Sequence, residues 1–547
     1  MASVSAHVAH ALSTYVDHVF GVMGNGNAAF LDALDRTPAR YTALRHEAGG
    51  VVAADAHFRA CGRLAAATAT YGAGFTNTLT ALAESRQARI PVLLVVGDAP
   101  TAGARPWDVD QAAMAAAAGV PTFTMGREDA AATTVRAMEH ALAHRTAVVL
   151  AIPYDLAAAE AGELPEDLPA LALPAPLAPD ATELNAVAAL LAAAKRPMLL
   201  AGRGAWLAGA GDALGRLAAS TGAVTASTTL ARGIFPDARY DLGVTGGFGQ
   251  ERAMSLVHEA DVAIVFGASL NQFTMRFGDL FAPGTRVVQV DLGSEPTAAA
   301  VTDFVAGDAG LAASGIADRI EAAGSAPSGW RESVDFAPLR PHHPGDGIAP
   351  DGRLDPRSVA ARIGELLPDD RVVVSDGGHF IGWANTHWPV ASPDRMIMVG
   401  TAFQSIGLGF PSVPGAAAAR PGSTIVLTTG DGGGLMALAD LESAVRTAGG
   451  RGLAVVWNDA AYGAEVHLYG LKGYADAPMR IPEVDFAGLA AAVGAEGVVV
   501  NELADLDRLA HWGAEPAAAR PFLLLDCRIS GRVIAPYQHE IIAINSR

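Results

Sequence analysis

Cysteine and basic residues are scarce in this sequence, and each scarcity excludes a class of protein. Only two cysteines occur in 547 residues, Cys61 and Cys527, and neither stands in a Cys/His ligand spacing. This pattern disfavours a disulfide framework and a zinc site, and it fits a reducing compartment. Lys and Arg number 38 against 57 Asp and Glu, which gives a formal net charge of -19. Because no basic run is present, we do not expect nucleic acid as a partner.

Long apolar runs are also missing, although 51% of the residues are hydrophobic. No stretch reaches the roughly 18 uninterrupted apolar residues that a membrane-spanning helix needs. The first residues lack the basic and apolar regions of a signal peptide. We therefore expect a cytoplasmic protein with no membrane partner, whose apolar excess lies in a large core or in interfaces between subunits.

Two stretches of unusual composition divide the chain. Residues 164–179 contain five prolines, too many for a helix or a central strand. Residues 324–356 are rich in Pro, Gly, His and Asp. Both stretches predict surface linkers, which leaves three domains at residues 1–165, 180–323 and 350–547.

Short apolar strands alternate with Ala-rich helical segments in all three domains. The predicted strands are 42–44, 65–70, 92–96, 147–152, 197–201, 262–266, 286–291, 371–375, 424–428, 453–457 and 521–525. This alternation is typical of parallel sheets covered by helices on both faces. We therefore predict an α/β fold with three doubly wound parallel-sheet domains, and functional residues at the carboxyl ends of the strands.

A glycine cluster that contains one carboxylate follows the predicted strand 424–428. It reads Gly430-Asp431-Gly432-Gly433-Gly434 and leads into a helix start, an arrangement that exposes backbone N–H groups to an anion such as phosphate. Asp431 would repel a lone anion but could share a Mg²⁺ ion with it. The next predicted strand ends in Asn458-Asp459, which offers a second oxygen ligand.

Other interpretations of the cluster stay open at this point. Gly and Asp are common in turns, so the two sites could be unrelated strand–helix turns. No Walker A sequence is present, and GxGxxG does not follow the first strand, which disfavours a P-loop enzyme and an NAD-dependent dehydrogenase.

The sequence resembles the thiamine diphosphate-dependent enzymes over essentially its whole length. Gly430-Asp431-Gly432, then 25 residues, then Asn458-Asp459 match the family's cofactor signature. Four further segments match in order: 20–24 (FGVMG), 45–48 (RHEA), 70–77 (TYGAGFTN) and 405–411 (SIGLGFP). The resemblance is closest to the acetohydroxyacid (acetolactate) synthase and benzaldehyde lyase branch. It implies a pyrimidine-binding, a central and a diphosphate-binding domain, in that order.

The resemblance also implies roles for individual residues. Glu47 would hydrogen-bond the aminopyrimidine ring of thiamine diphosphate, where a shielded carboxyl group can share or donate a proton near neutral pH. Ile406 would wedge between the two rings of the cofactor. The metal ligands would be Asp431, Asp459 and the carbonyl group of Ala461. Asp459 replaces the family's usual Asn, so Asn458 stays open as the ligand instead.

The remaining implied positions lie in or near these segments and directly after the predicted strand 371–375. Those expected to contact the cofactor are Gly24, Gly72, Gly74, Asn77, Gly377, Gly378, Ser405, Gly430, Gly432, Gly433, Asn458, Tyr462 and Gly463.

Several positions bear on the substrate. Asn25 falls at a substrate-facing position and could polarise a carbonyl group. His379 follows the predicted strand 371–375 and would contact the diphosphate or the reactant, although a surface histidine is an equal alternative. Relatives place a Gln that faces the reacting centre where this chain has Pro106, and Thr70 stands where some decarboxylases keep a histidine.

Taken together, the resemblance predicts decarboxylation of a 2-oxo acid with carboligation of the acetolactate synthase type. A simple 2-oxo acid decarboxylase and an acyloin or benzaldehyde lyase are alternatives, as is a non-catalytic or flavin-binding relative. FAD in the central domain is the less favoured interpretation, because the glycines at 202 and 204 read as structural. The resemblance further implies a homodimer or dimer of dimers, with Glu47 and Asp431 of one site supplied by different chains.

Overall fold

The computed structural model describes residues 1–339 and 341–545. Arg340, in the second predicted linker, and residues 546–547, in the third predicted domain, lie outside the described residues. Within them the chain forms three six-stranded sheets in which every strand pair is parallel. The predicted fold class is confirmed.

The first sheet has the strand order β2-β1-β3-β4-β6-β5. Its strands are β1 His18–Gly21, β2 Arg40–Ala43, β3 Ala66–Ala69, β4 Val92–Asp98, β5 Thr122–Thr124 and β6 Ala147–Pro153. Its helices are α1 Val4–Ser13, α2 Ala28–Leu34, α3 Glu47–Cys61, α4 Ala73–Thr76, α5 Leu79–Gln87, α6 Gln111–Ala117 and α7 Ala130–His144.

The second sheet has the order β12-β11-β10-β7-β8-β9. Its strands are β7 Pro197–Ala201, β8 Val224–Ser227, β9 Asp241–Val244, β10 Val262–Phe266, β11 Arg286–Asp291 and β12 Asp303–Ala306. The helices of this part are α8 Ala181–Ala193, α9 Arg203–Leu207, α10 Gly211–Thr221, α11 Glu251–Glu259, α12 Ala309–Ala322 and α13 Trp330–Ser333.

The third sheet has the order β14-β13-β15-β16-β18-β17. Its strands are β13 Val372–Ser375, β14 Met396–Met398, β15 Ile425–Gly430, β16 Gly452–Asn458, β17 Glu496–Val500 and β18 Leu523–Arg528. Its helices are α14 Pro356–Leu366, α15 Ile381–His387, α16 Gly409–Ala419, α17 Asp431–Met436, α18 Leu441–Ala448, α19 Gly463–Glu465, α20 Phe486–Ala492, α21 Asp507–Ala514 and α22 Pro536–Asn545.

The first and third domains share an apolar core. Val52 of α3 and Val413 of α16 are buried in the same cluster, and the two helices approach so closely that a Cβ at Gly415 would collide with the carbonyl oxygen of Ala53. This contact fixes the start of α3, where Glu47 stands, relative to the third domain. No helix of the described part of the chain is long and apolar enough to cross a membrane.

The second predicted linker is more structured than its composition suggested. Its residues 330–333 form helix α13, and Phe336 and Leu339 are buried in an apolar cluster of the second domain. The prediction of a surface linker at 324–356 was therefore wrong in part, because the apolar side chains between the prolines find a core to pack against. Residues 164–179 contain no helix or strand among the described residues.

Candidate active site

Two acidic residues stand at neighbouring strand ends in the third domain. Gly430, the last residue of β15, is paired with Trp457 of β16. Asp431 therefore follows the end of β15, beside the point where β16 ends at Asn458 and the chain continues to Asp459. Adjacent strands lie about 4.8 Å apart, which brings the two turns together. The structure confirms the predicted sequence of strand, glycine run and helix, with α17 beginning at Asp431.

Asp431 is buried, and only one of its two carboxylate oxygens accepts a hydrogen bond. Its Oδ1 accepts a hydrogen bond from the Gly432 nitrogen at 2.9 Å, whereas the buried Oδ2 has no partner among the described residues. Burial and repulsion by Asp459 raise the pKa of Asp431 to about 7, and burial raises the pKa of Asp459 to about 6. Two crowded carboxylates with an unpartnered oxygen form a donor set that suits a hard divalent cation.

Both side chains of the Asn458-Asp459 pair stay candidates for the metal ligand. Asn458 is fully buried, and its Nδ2 donates to the Val484 carbonyl oxygen and to Asp526 Oδ1, at 3.0 and 2.9 Å. Its Oδ1 has no partner among the described residues. Asp459 lies close enough to Asp431 for its charge to raise the pKa of that group. Asp459 stays the predicted ligand on the family resemblance.

The turn after β16 carries the backbone part of the predicted metal site. Ala460 adopts a left-handed conformation with φ +57°, and the nearby backbone N–H groups of Ala460 and Ala461 partly oppose the rise in the pKa of Asp431. Gly463 opens α19 beside the turn, where a Cβ would lie 2.9 Å from Asp459 Oδ2. No group of three or more His, Cys, Asp or Glu side chains that could hold a metal occurs in the described residues. A cation at this site would therefore be held by the carboxylates of Asp431 and Asp459, by a backbone carbonyl group and by oxygen atoms of a bound cofactor.

The predicted glycines of this half-site are closely packed. A Cβ at Gly430, Gly432 or Gly433 would lie 2.9 Å or less from Phe380, Tyr462 or Asp376, respectively. These glycines therefore let three side chains approach the start of α17, whatever ligand is bound.

Asp376, which sequence reasoning did not select, organises this half-site. It is fully buried at the end of β13, and its Oδ1 accepts from the nitrogens of Gly377, Gly407 and Leu408 at 2.8, 3.0 and 3.2 Å. Thr429 Oγ1 donates to Oδ2 at 3.0 Å. The carboxylate thus joins two strand ends to the loop that carries Ile406. The position of Asp376 directly after a buried strand was the one feature of the sequence that could have identified it.

The loop around Ile406 faces the glycines after β13. Ile406 is half-buried, and a Cβ at Gly377 would lie 3.1 Å from its Cγ2. The Ser405 nitrogen donates to the Gly400 carbonyl oxygen at 2.8 Å, which closes the loop. The structure therefore brings Ile406, Ser405 and Gly377 together, while their contact with a cofactor stays a prediction.

His379 is buried, so the alternative of a surface histidine was wrong. Its Nε2 accepts a hydrogen bond from the Ala535 nitrogen at 3.0 Å, and Tyr537 donates to its carbonyl oxygen at 2.9 Å. Burial, with smaller contributions from His467 and His539, lowers the pKa of His379 to about 3. The ring is therefore neutral with its hydrogen on Nδ1, which suits it to donate a hydrogen bond rather than to carry a charge.

Glu47 lies in the first domain, at the first position of α3. His46 caps this helix by accepting from the Ala48 nitrogen at 3.2 Å. The Glu47 side chain is half-exposed, and its Oε2 accepts from Asn77 Nδ2 at 2.9 Å. A Cβ at Gly74 would lie 3.5 Å from Oε1. Gly74 and Asn77, which were predicted to contact the cofactor, therefore lie beside the Glu47 carboxylate, while their contact with a cofactor stays a prediction.

The predicted substrate-facing loop is held to the end of β3. Gly24 donates from its nitrogen to Asn27 Oδ1 at 2.8 Å, and Gly26 donates to Thr70 Oγ1 at 2.8 Å. Asn25 is exposed and donates from Nδ2 to the Tyr71 hydroxyl group, also at 2.8 Å.

Gln111 is a second residue that sequence reasoning missed. Pro106, placed at the family's Gln position, is exposed. Gln111 is buried; its Oε1 accepts from the Gly72 nitrogen at 2.7 Å and its Nε2 donates to the Gly97 carbonyl oxygen at 2.9 Å. The glutamine therefore supports the left-handed Gly72, which has φ +60°.

A cavity of about 600 Å³ lies between the second domain and the other two. Its lining includes Arg89, Arg145 and Arg203, which form no ion pair among the described residues. Burial lowers the pKa of Arg203 to about 9. Gly202 and Gly204 pack directly on Gly267, so close backbone contact accounts for both glycines. Whether this domain binds FAD stays a prediction.

Comparison with known proteins gives matches in all three parts of the chain. Family models match residues 2–118 as the thiamine pyrophosphate enzyme N-terminal TPP binding domain, 184–315 as its central domain and 376–524 as its C-terminal TPP binding domain. Together the three matches cover more than half of the chain.

Individual relatives are similar at low identity. Sulfoacetaldehyde acetyltransferase from Castellaniella defragrans is 29% identical, over 92% of this chain and 89% of the relative. The large subunit of acetolactate synthase isozyme 2 from Escherichia coli is 29% identical, over 80% of each chain. Acetolactate synthase from Mycobacterium bovis is 28% identical, over 88% of this chain and 81% of the relative.

Proposed function

This chain belongs to the thiamine pyrophosphate enzymes, and from that premise we propose a thiamine diphosphate- and Mg²⁺-dependent carboligase of the acetolactate synthase type. In the proposed reaction, a 2-oxo acid loses CO₂ and its remaining acyl unit is joined to a second carbonyl compound. The observation that carries the proposal is the pair of the buried Asp431, which has an unpartnered oxygen, and the half-buried Asp459. A divalent cation would relieve their repulsion.

The third domain would hold the charged end of the cofactor. When bound, thiamine diphosphate supplies a nucleophilic ring carbon and an electron sink, and Mg²⁺ joins its diphosphate to the protein. Asp431, Asp459 and the Ala461 carbonyl oxygen would be the metal ligands. His379, neutral and protonated on Nδ1, would donate a hydrogen bond to the diphosphate.

The first domain would supply the proton-handling group. Asn77 holds Oε2 of Glu47, which leaves Oε1 to share a proton with the aminopyrimidine ring. Ile406 would press on the cofactor between its rings, and the hydrogen bonds from its loop to Asp376 would keep that side chain in place. Both roles follow the family resemblance and agree with the contacts of these residues.

We further propose that the complete site forms between two chains, in a homodimer or a dimer of dimers. No hydrogen bond or ion pair of the described residues joins Glu47 to Asp431 within one chain. Large apolar side chains are exposed beside both half-sites: Met23 and Trp107 in the first domain, Phe403 and Met436 in the third. Exposed apolar patches of this kind mark interaction surfaces.

Two alternatives have support of their own. Relatives named sulfoacetaldehyde acetyltransferase match nearly the whole chain, which favours acetyl transfer as a second candidate reaction. Arg89, Arg145 and Arg203 of the central cavity form no ion pair among the described residues and would suit the phosphates of a flavin nucleotide. A flavin spectrum of the purified protein would establish that alternative, and its absence from protein reconstituted with FAD would exclude it.

The substrate is identified by a panel of donors and acceptors. Purified protein with thiamine diphosphate and Mg²⁺ is incubated with pyruvate, benzoylformate or branched 2-oxo acids, each alone and with an aldehyde, and CO₂ and carbon products are measured. We expect CO₂ release together with a coupled product. CO₂ with only an aldehyde product would indicate a simple decarboxylase. In a separate incubation with sulfoacetaldehyde and inorganic phosphate, release of sulfite with formation of acetyl phosphate would favour the second candidate.

A further inference from the structure

An aromatic cluster lies at the carboxyl edge of the first sheet, apart from the residues assigned to the cofactor. It consists of Tyr71 after β3, Arg105 after β4 and Tyr154 after β6. The Arg105 guanidinium carbon lies 4.1 Å from the centre of the Tyr71 ring and 4.5 Å from that of Tyr154. The two rings meet edge to face at 6.1 Å. Such stacking on a guanidinium group holds both rings in place.

Arg105 forms an ion pair with Asp108 of the same loop. Its Nη2 lies 2.7 Å from Asp108 Oδ1, and its Nε contacts both oxygens of the same carboxylate at 3.1 Å. Hydrogen bonds from Arg105 lower the pKa of Asp108, so the pair stays ionised. Arg105 is therefore a support for the rings and offers no free cation to a substrate carboxylate.

The Tyr71 hydroxyl group has a free hydrogen. Its oxygen accepts the hydrogen bond from Asn25 Nδ2, and no acceptor for its own hydrogen occurs among the hydrogen bonds of the described residues. A phenol has one such donor. Asn25 was predicted to polarise a carbonyl group itself. In the structure, one N–H of its side chain instead orients the Tyr71 hydroxyl group.

Tyr71 belongs to the same edge as Glu47. It follows Thr70, whose side chain fills the space between the loops of Gly24 and Gly74; a Cβ at either glycine would lie 2.8 Å or less from it. The position of Gly74 in turn lies beside Glu47 Oε1. The hydroxyl group is thus on the side of the domain where the reacting carbon would be presented.

We propose that the Tyr71 hydroxyl group donates a hydrogen bond to the carbonyl oxygen of the second substrate. The inference rests on the proposed carboligation. Asn25 and Arg105 act as positioning residues, because the first orients the hydroxyl group and the second holds the ring. The donor would stabilise the negative charge that grows on that oxygen as the carbon–carbon bond forms.

The test compares Tyr71→Phe with Tyr154→Phe, which removes a hydroxyl group from the other ring on Arg105. Each protein, loaded with thiamine diphosphate and Mg²⁺, receives the donor found active in the panel, with benzaldehyde or a second donor molecule as acceptor. CO₂, both coupled products, the KM for benzaldehyde and the affinity for thiamine diphosphate are measured. The last, followed by tryptophan fluorescence, does not depend on turnover.

With the better acceptor of the two, Tyr71→Phe should lower the coupled product per CO₂ at least about tenfold compared with wild type, with CO₂ release and cofactor affinity retained, and Tyr154→Phe should behave as wild type. An equal ratio of coupled product to CO₂ in Tyr71→Phe and wild type would overturn the inference alone. Cofactor binding without CO₂ release from any 2-oxo acid would instead overturn the proposed function, and this inference with it.

Discussion

Asp376 Oδ1 lies 3.0 Å from the backbone nitrogen of Gly407, and this hydrogen bond ties the end of β13 to the loop that carries Ile406. The carboxylate is fully buried. Burial raises its pKa, and its hydrogen-bond donors, which include Thr429 Oγ1, oppose the rise. The position of Ile406 therefore depends on a buried carboxyl group that is held by hydrogen bonds from the protein itself.

Replacing Asp376 should loosen this loop. In Asp376→Ala the amides of Gly407 and Leu408 lose their acceptor, and each buried donor left unsatisfied costs about 1–3 kcal/mol. We expect a lower melting temperature and weaker binding of thiamine diphosphate than in Asp376→Asn, which keeps one acceptor oxygen. Calorimetry and cofactor titration measure both effects, with the exposed Asp369→Asn as control. Cofactor binding by Asp376→Ala as tight as in wild type would contradict the assignment.

Glu47→Gln should separate binding from turnover. The amide keeps the shape of the side chain and its place beside Asn77 but cannot exchange a proton, and general acid–base groups contribute about 10²–10⁴-fold to rate. We expect CO₂ release to fall at least about a hundredfold while thiamine diphosphate still binds. Glu183→Gln, in the first turn of α8 on the second domain, is the matched control. Unchanged turnover in Glu47→Gln would show that the assigned proton-handling role is wrong.

The parts of the site that the sequence could predict are those with a local signal. Glu47 and Asp431 each stand at a helix start within a recognisable motif, and the structure places both as expected. Asp376 and Gln111 act on loops that are distant in sequence, so their roles follow from strand order and packing. The missed strands, such as β14 at a sheet edge, have only three to five residues. A few apolar residues carry too little periodicity to predict a strand.

Mg²⁺ affinity should rise with pH. Asp431 and Asp459 have pKa values of about 7 and about 6, above their ordinary value of 3.8. Because both pKa values are higher in the folded state than in the unfolded chain, protonation of the two carboxylates stabilises the metal-free fold. This contribution is complete below about pH 4 and is lost as the pH rises through 6 and 7. Because a cation binds the deprotonated pair, its affinity should increase from pH 5 to 8 with proton release. Calorimetry in buffers of different ionisation enthalpy measures both quantities.

Asp459→Asn provides the matched comparison for this pH dependence. It removes the repulsion that raises the pKa of Asp431, so the rise in affinity should move to lower pH. A Mg²⁺ affinity that does not change with pH in either protein would argue against these two carboxylates as the ligands.

Two inactive variants should complement each other if the site forms between chains. In a mixed dimer of Glu47→Gln with Asp431→Ala, one site carries both defects and the other carries neither. Unfolding and refolding the two proteins together should restore about a quarter of the wild-type activity, since half of the dimers are mixed. Each variant refolded alone is the control. No recovery in verified mixed dimers would mean that Glu47 and Asp431 of one site belong to the same chain.

The most direct measurement is a titration of the metal-free protein with thiamine diphosphate, with and without Mg²⁺, followed by tryptophan fluorescence. We predict saturable binding that requires Mg²⁺ in wild type and is lost in Asp431→Ala, while the surface control Asp369→Asn binds as wild type does. Absence of binding in the presence of Mg²⁺, or equal binding by Asp431→Ala and wild type, would contradict the account.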